Sequence, residues 1–76
     1  MHDRPGPAER LAAADRQIAK AKALIVRQEI MVARLAAVGG GDVTTGRKVL
    51  EEMRRALREM YRHRQLLLRK VEAGSR

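Results

Sequence analysis

The chain has 76 residues, no cysteine, a single tyrosine as its one aromatic residue, and a formal charge of +8. A chain this short makes one small domain with a large surface for its volume. Without cysteine it has neither disulfides nor thiolate metal sites, so oligomerisation is the remaining means of enlarging its core.

Leu, Ala, Arg, Glu and Met supply most of the sequence, and all are strong helix formers. No stretch alternates apolar and polar residues with period two. The predicted fold class is all-α: two long helices in an antiparallel, coiled-coil-like hairpin that dimerises into a four-helix bundle.

Residues 1–7 read as a disordered tail, because Pro5, Gly6 and Pro7 do not continue a helix, although Pro7 suits a first helical turn. The tail is polar, and no apolar signal region follows it. No apolar run approaches the roughly 20 residues of a membrane span. A cytoplasmic protein of bacterial type is expected.

Helix one is expected over residues 8–38, with Glu9 near its positive N-terminal end. Its stripe is Leu11, Ile18, Ile25 and Val32, alternating with Ala14, Ala21, Gln28 and Leu35. A second line, Leu24, Met31 and Val38, runs beside the stripe. Together they make an apolar face wider than one partner helix needs, and a wide face suits a bundle.

Gly39, Gly40 and Gly41 close the helix, since glycine takes the left-handed conformation of a helix C-terminus without a Cβ clash. The turn is expected over residues 39–43. Asp42, Thr44 and Thr45 are all competent N-caps for helix two, and the sequence does not choose among them.

Helix two is expected over residues 44–72, with residues 73–76 frayed. Its stripe is Leu50, Met53, Leu57, Met60, Leu67 and Val71, broken by Arg64. A turn centred near Gly41 would set Ala14 near Leu67, Ala21 near Met60, Ile18 opposite Arg64 and Gln28 opposite Met53. Small residues then meet large ones.

Several phrases occur in order: Ala14-Asp15-Arg16-Gln17-Ile18-Ala19, Arg27-Gln28-Glu29, Val32-Ala33-Arg34-Leu35, Gly41-Asp42 and His63-Arg64-Gln65-Leu66-Leu67-Leu68. In this the chain resembles a group of short alphaproteobacterial helical-hairpin proteins over about residues 11–70. It departs from them in its glycine-rich turn and at Gly46. The resemblance implies a helical hairpin and a bacterial source, and it carries no function to transfer.

No catalytic constellation is present. His63 is followed by Arg64, not by the acidic residue that follows the phosphoacceptor histidine of sensor-kinase dimerisation domains. Glu59 stands four residues before His63, but two ligands do not make a firm metal site. The three glycines lack the preceding strand and the Lys-Ser/Thr of a phosphate loop. Glu51 with Arg55, and Glu59 with His63, are expected as i,i+4 surface pairs. No enzyme activity and no cofactor are expected.

The expected role is a non-enzymatic interaction module. Leu24, Met31 and Val38, with the polar breaks Gln28 and Arg64, are its candidate interface toward a second copy or a helical protein partner. Arg64 is expected to pack its stem in the seam and send its guanidinium to water or Asp15.

The alternative is sequence-indifferent binding of RNA or DNA through Arg47, Arg54, Arg55, Arg58 and Arg62. Residues 8–38 carry 6 basic and 3 acidic side chains, and residues 42–76 carry 10 and 5, so helix two is the more basic. A positive face attracts phosphates. Glu51, Glu52 and Glu59 interrupt it, and no aromatic row offers stacking. An Arg- and Ala-rich composition is also common in proteins of GC-rich genomes. A third reading, a peripheral membrane helix around Leu66, Leu67 and Leu68, ranks last because the stripe is already needed for packing.

Overall fold

In a computed structural model, which describes residues 5–39 and 41–74, two helices pack antiparallel along their length. They are α1 (Pro7–Val38) and α2 (Val43–Gly74). No strand occurs among the described residues. Residues 1–4 of the expected tail, Gly40 of the expected turn and residues 75–76 lie outside the described residues.

Pro7 takes the first helical position, where its missing N–H costs nothing. The Gly6 N–H donates to the Glu9 carboxylate at 3.2 Å, which ties down the entry to α1. At the other end Gly39 closes the helix in the left-handed region, with φ of 66°. Gly41 is constrained twice. Its φ is 81°, and a Cβ there would stand 2.8 Å from Leu35 Cδ2.

Asp42 is the cap of α2. It accepts the Thr45 N–H at 3.0 Å and the Thr45 hydroxyl through its other oxygen. The hydroxyl bond first, and the backbone bond second, hold its carboxyl below the usual carboxylate value. Ala73 and Gly74, expected to fray, are the last residues of α2.

The predicted stripes form the seam. Ile18, Ile25 and Val32 are buried on α1, and Leu50 and Leu67 on α2. Leu11, Ala14, Ala21, Gln28 and Leu35 are half-buried beside them, as are Met53, Leu57, Met60, Arg64 and Val71. Each helix repeats its apolar residues at alternating three and four spacings, so one stripe stays in contact along the whole length.

The hairpin measures 57 × 22 × 14 Å and has a radius of gyration of 17.3 Å. A compact chain of this length would have about 11 Å. The molecule is therefore a rod with a thin core and much surface.

Arg54 meets Glu29 and Lys22 stands near Tyr61, close to the expected register. Arg64 sends its guanidinium to Asp15, one of its two expected destinations. Gln28 bonds the Gly46 carbonyl at 3.1 Å, nearer the turn than Met53. Ala14 lines one groove with Met60 and His63. Gly39 and Gly41, both at positive φ, fold the chain back steeply. The start of α2 then lies alongside Val32 and Leu35, and the last turn of α1 overhangs it. Val38 at the overhang is 76% exposed.

Gly46 has a packing role that its place in the sequence conceals. A Cβ at Gly46 would lie 3.1 Å from Val32 Cγ2. Its absence lets α1 come close enough for Gln28 to reach the Gly46 carbonyl.

Candidate functional site

The seam has two flanks, and they differ. On one, α1 presents Asp15, Lys22 and Glu29 at seven-residue spacing, and α2 presents Arg47, Arg54 and Tyr61 at the same spacing. Cross-helix polar contacts bridge this flank. Arg54 meets Glu29 at 2.7 Å. The Lys22 ammonium stands 5.7 Å from the centre of the Tyr61 ring. Asp15 receives Arg64, whose stem lies in the seam. Every cross-helix ion pair among the described residues belongs to this side.

The other flank is open. On α1 its line is Arg10, Gln17, Leu24, Met31 and Val38, and on α2 it is Val49, Ala56, His63 and Lys70, each at seven-residue spacing. Arg10 and Gln17 line one groove with Ala13, Ala14, Met60 and His63, which places the two lines on the same side of the seam. Helical periodicity carries both lines on toward the turn.

This flank changes character along its length. Near the turn it consists of Leu24, Met31, Val38, Val49 and Ala56. Toward the open end it consists of Arg10, Gln17, His63 and Lys70. Leu24 is 51% and Met31 53% exposed. Val49 is exposed as well. Val26 and Ile30 are exposed too, and Ile30 shares a groove with Met31, Arg27 and Arg34.

Five residues were candidates for an interface. Leu24, Met31 and Val38 come together on the open flank. Gln28 and Arg64 do not join them, because both are engaged inside the hairpin, with Gly46 and Asp15. Val49 and Ala56 are additions that the sequence reading missed. The signal was present: in an antiparallel pair each helix turns the same side of its stripe to its partner. The apolar line of α1 therefore implied a neighbouring line on α2.

The basic candidates are only partly available. Arg54 is held by Glu29, and Arg62 by Glu59 at 3.2 Å. Glu59 thus turns to Arg62 rather than to His63. Arg47, Arg55 and Arg58 are exposed and make no ion pair among the described residues. No group of three His, Cys, Asp or Glu side chains able to hold a metal occurs among the described residues. No described helix is long and apolar enough to cross a membrane.

No protein-family model, curated protein or solved structure matches the chain.

Proposed function

We propose that the hairpin is a self-associating interaction module, and that its open flank is the surface that meets a second copy in a four-helix arrangement. The observation that carries this reading is the exposure of Leu24, Met31 and Val38 on one line of a chain with only five buried apolar residues among those described. Burying apolar surface contributes about 25 cal/mol per Å². A rod with so thin a core has more to gain from covering that line than from any rearrangement within itself. The opposite flank has its ion pairs in place and needs no cover.

Sedimentation equilibrium tests the proposal. The expected mass is twice the 8.5 kDa of one chain, falling toward one chain only on dilution. A single-chain mass at every concentration contradicts it.

A second reading is nucleic-acid binding, supported by Arg47, Arg55 and Arg58, exposed cations of α2 that make no ion pair among the described residues. These lie off the open flank, so the two readings are compatible. The second rests on charge alone.

A further inference from the structure

The open flank is graded, and the grading selects one way for two copies to meet. We propose that the second copy docks antiparallel and offset, overlapping only the turn halves. A two-fold axis then passes beside Met31, and the basic open ends point away in opposite directions. This rests on the self-association proposed above.

Three packings of flank on flank are available. With the turns at the same end, Arg10 and Lys70 of one copy stack on Lys70 and Arg10 of the other. Four cations are then crowded together, with no carboxylate on the two lines that make this flank. Like charges forced together and stripped of water are costly. With the rods antiparallel and fully overlapped, Val38 covers Arg10 of the second copy and Val49 covers its Lys70. Apolar groups then desolvate charges that gain no partner.

The offset antiparallel packing keeps Arg10 and Lys70 out of the overlap, and Arg27 and Arg34, which share a groove with Met31, lie at its rim. Met31 lies on Met31 of the second copy, and Val38 lies on its Leu24. Arg10, Gln17, His63 and Lys70 remain in water.

The area is sufficient. From Leu24 to Val38 the helix rises about 21 Å, and the turns extend the overlap to about 30 Å. Two helices each about 10 Å across then cover roughly 600 Å² per copy. The total of about 1,200 Å² is at the lower edge of specific interfaces and fits a dimer that dissociates on dilution. The dimer would be a rod of roughly 85 Å, two 57 Å hairpins sharing about 30 Å.

The absence of native cysteine makes the test direct. A nitroxide on Gln17→Cys reports the distance between the two copies by pulsed dipolar spectroscopy, at a solvated position outside the apolar patch. The offset packing places the two labels about 40 Å apart, since Gln17 lies about 21 Å from the axis in each copy. Small-angle scattering of the unlabelled chain should give a maximum dimension near 85 Å. Labels closer than about 30 Å, or a dimer no longer than one hairpin, overturn the offset packing while leaving self-association intact. A single-chain mass by light scattering on the same samples removes the self-association itself, and the packing with it.

Discussion

The side-chain amide of Gln28 crosses the seam and donates to the main-chain carbonyl of Gly46, 3.1 Å away. A helical carbonyl already accepts one bond within its own ladder, and its second lone pair is free for such a contact. The bond ties the middle of α1 to the first turn of α2, and it exists because position 46 has no side chain.

Gly46→Ala should therefore destabilise the hairpin. Alanine gains about 1 kcal/mol of helix propensity over glycine. The new Cβ, however, would press within 3.1 Å of Val32 Cγ2. Val32 is buried, and a β-branched side chain in a helix has one preferred rotamer, so it yields poorly. Overpacking of this kind costs about 1–3 kcal/mol, so the net effect should be a loss of about 1 kcal/mol. Thermal melts of Gly46→Ala and Gly74→Ala make the comparison. Gly74 has nothing within 4 Å of its Cβ position and should tolerate alanine. Equal gains in both variants would contradict the packing role of Gly46.

Arg64→Leu should hold or raise the melting temperature. The Arg64 side chain is 33% exposed and Asp15 is 51% exposed, so the pair is largely in contact with water. Exposed pairs contribute about 0–1 kcal/mol. Leucine at this seam position buries more apolar surface, and Asp15 is left solvated instead of stranded. A drop of several degrees would show that the pair is worth more than its exposure implies.

Much of this architecture is legible in the sequence. Ile18, Ile25 and Val32 announce α1, and Leu50, Met53, Leu57 and Met60 announce α2, because a helix that packs along its length must repeat at heptad spacing. Gly39 and Gly41 mark the turn for a steric reason. The bond from Gln28 to Gly46 is not legible. It depends on the close approach of the two helices at Gly46, where no Cβ intervenes. The cap at Asp42 was one of three equal candidates until the chain's path was known. Val49 and Ala56 were overlooked because their line on α2 turns polar at His63 and Lys70, so it does not read as an apolar line.

Acid should weaken the start of α2 in a way that depends on Asp42. Its carboxyl is held below the ordinary value of 3.8, first by the Thr45 hydroxyl and then by the Thr45 N–H. A depressed folded-state pKa contributes stability that is present above the unfolded value and lost as pH falls through the folded one. The contribution should be constant from neutral pH down to about 4 and decline below it. Asn caps helices without titrating. Circular-dichroism melts of Asp42→Asn should show a smaller acid loss than those of the native chain. Identical acid slopes would contradict the assignment of this cap.

The basic face gives the nucleic-acid reading its own test. If Arg47, Arg55 and Arg58 meet phosphates, affinity for duplex DNA should fall with a log–log salt slope of about −0.9 per contact. Fluorescence anisotropy at about 50 and 200 mM salt measures this slope. Arg55→Glu with Arg58→Glu should abolish binding without loss of helicity, since neither holds an ion pair in the hairpin. No binding at the lower salt removes this reading, because charge is its only support.

The central claim is that the open flank, and not the basic face, joins two copies. Sedimentation equilibrium of Met31→Glu beside Arg58→Glu tests it most directly, at concentrations from about 1 to 100 μM, spanning the dissociation constants that correspond to roughly −8 to −5 kcal/mol. Met31 is 53% exposed in the single hairpin, so the glutamate is solvated there and helicity should be retained. In a dimer it would be buried without a partner. The account predicts a single-chain mass for Met31→Glu and an unchanged dimer for Arg58→Glu. A dimer that survives Met31→Glu, or one that is lost with Arg58→Glu, would contradict it.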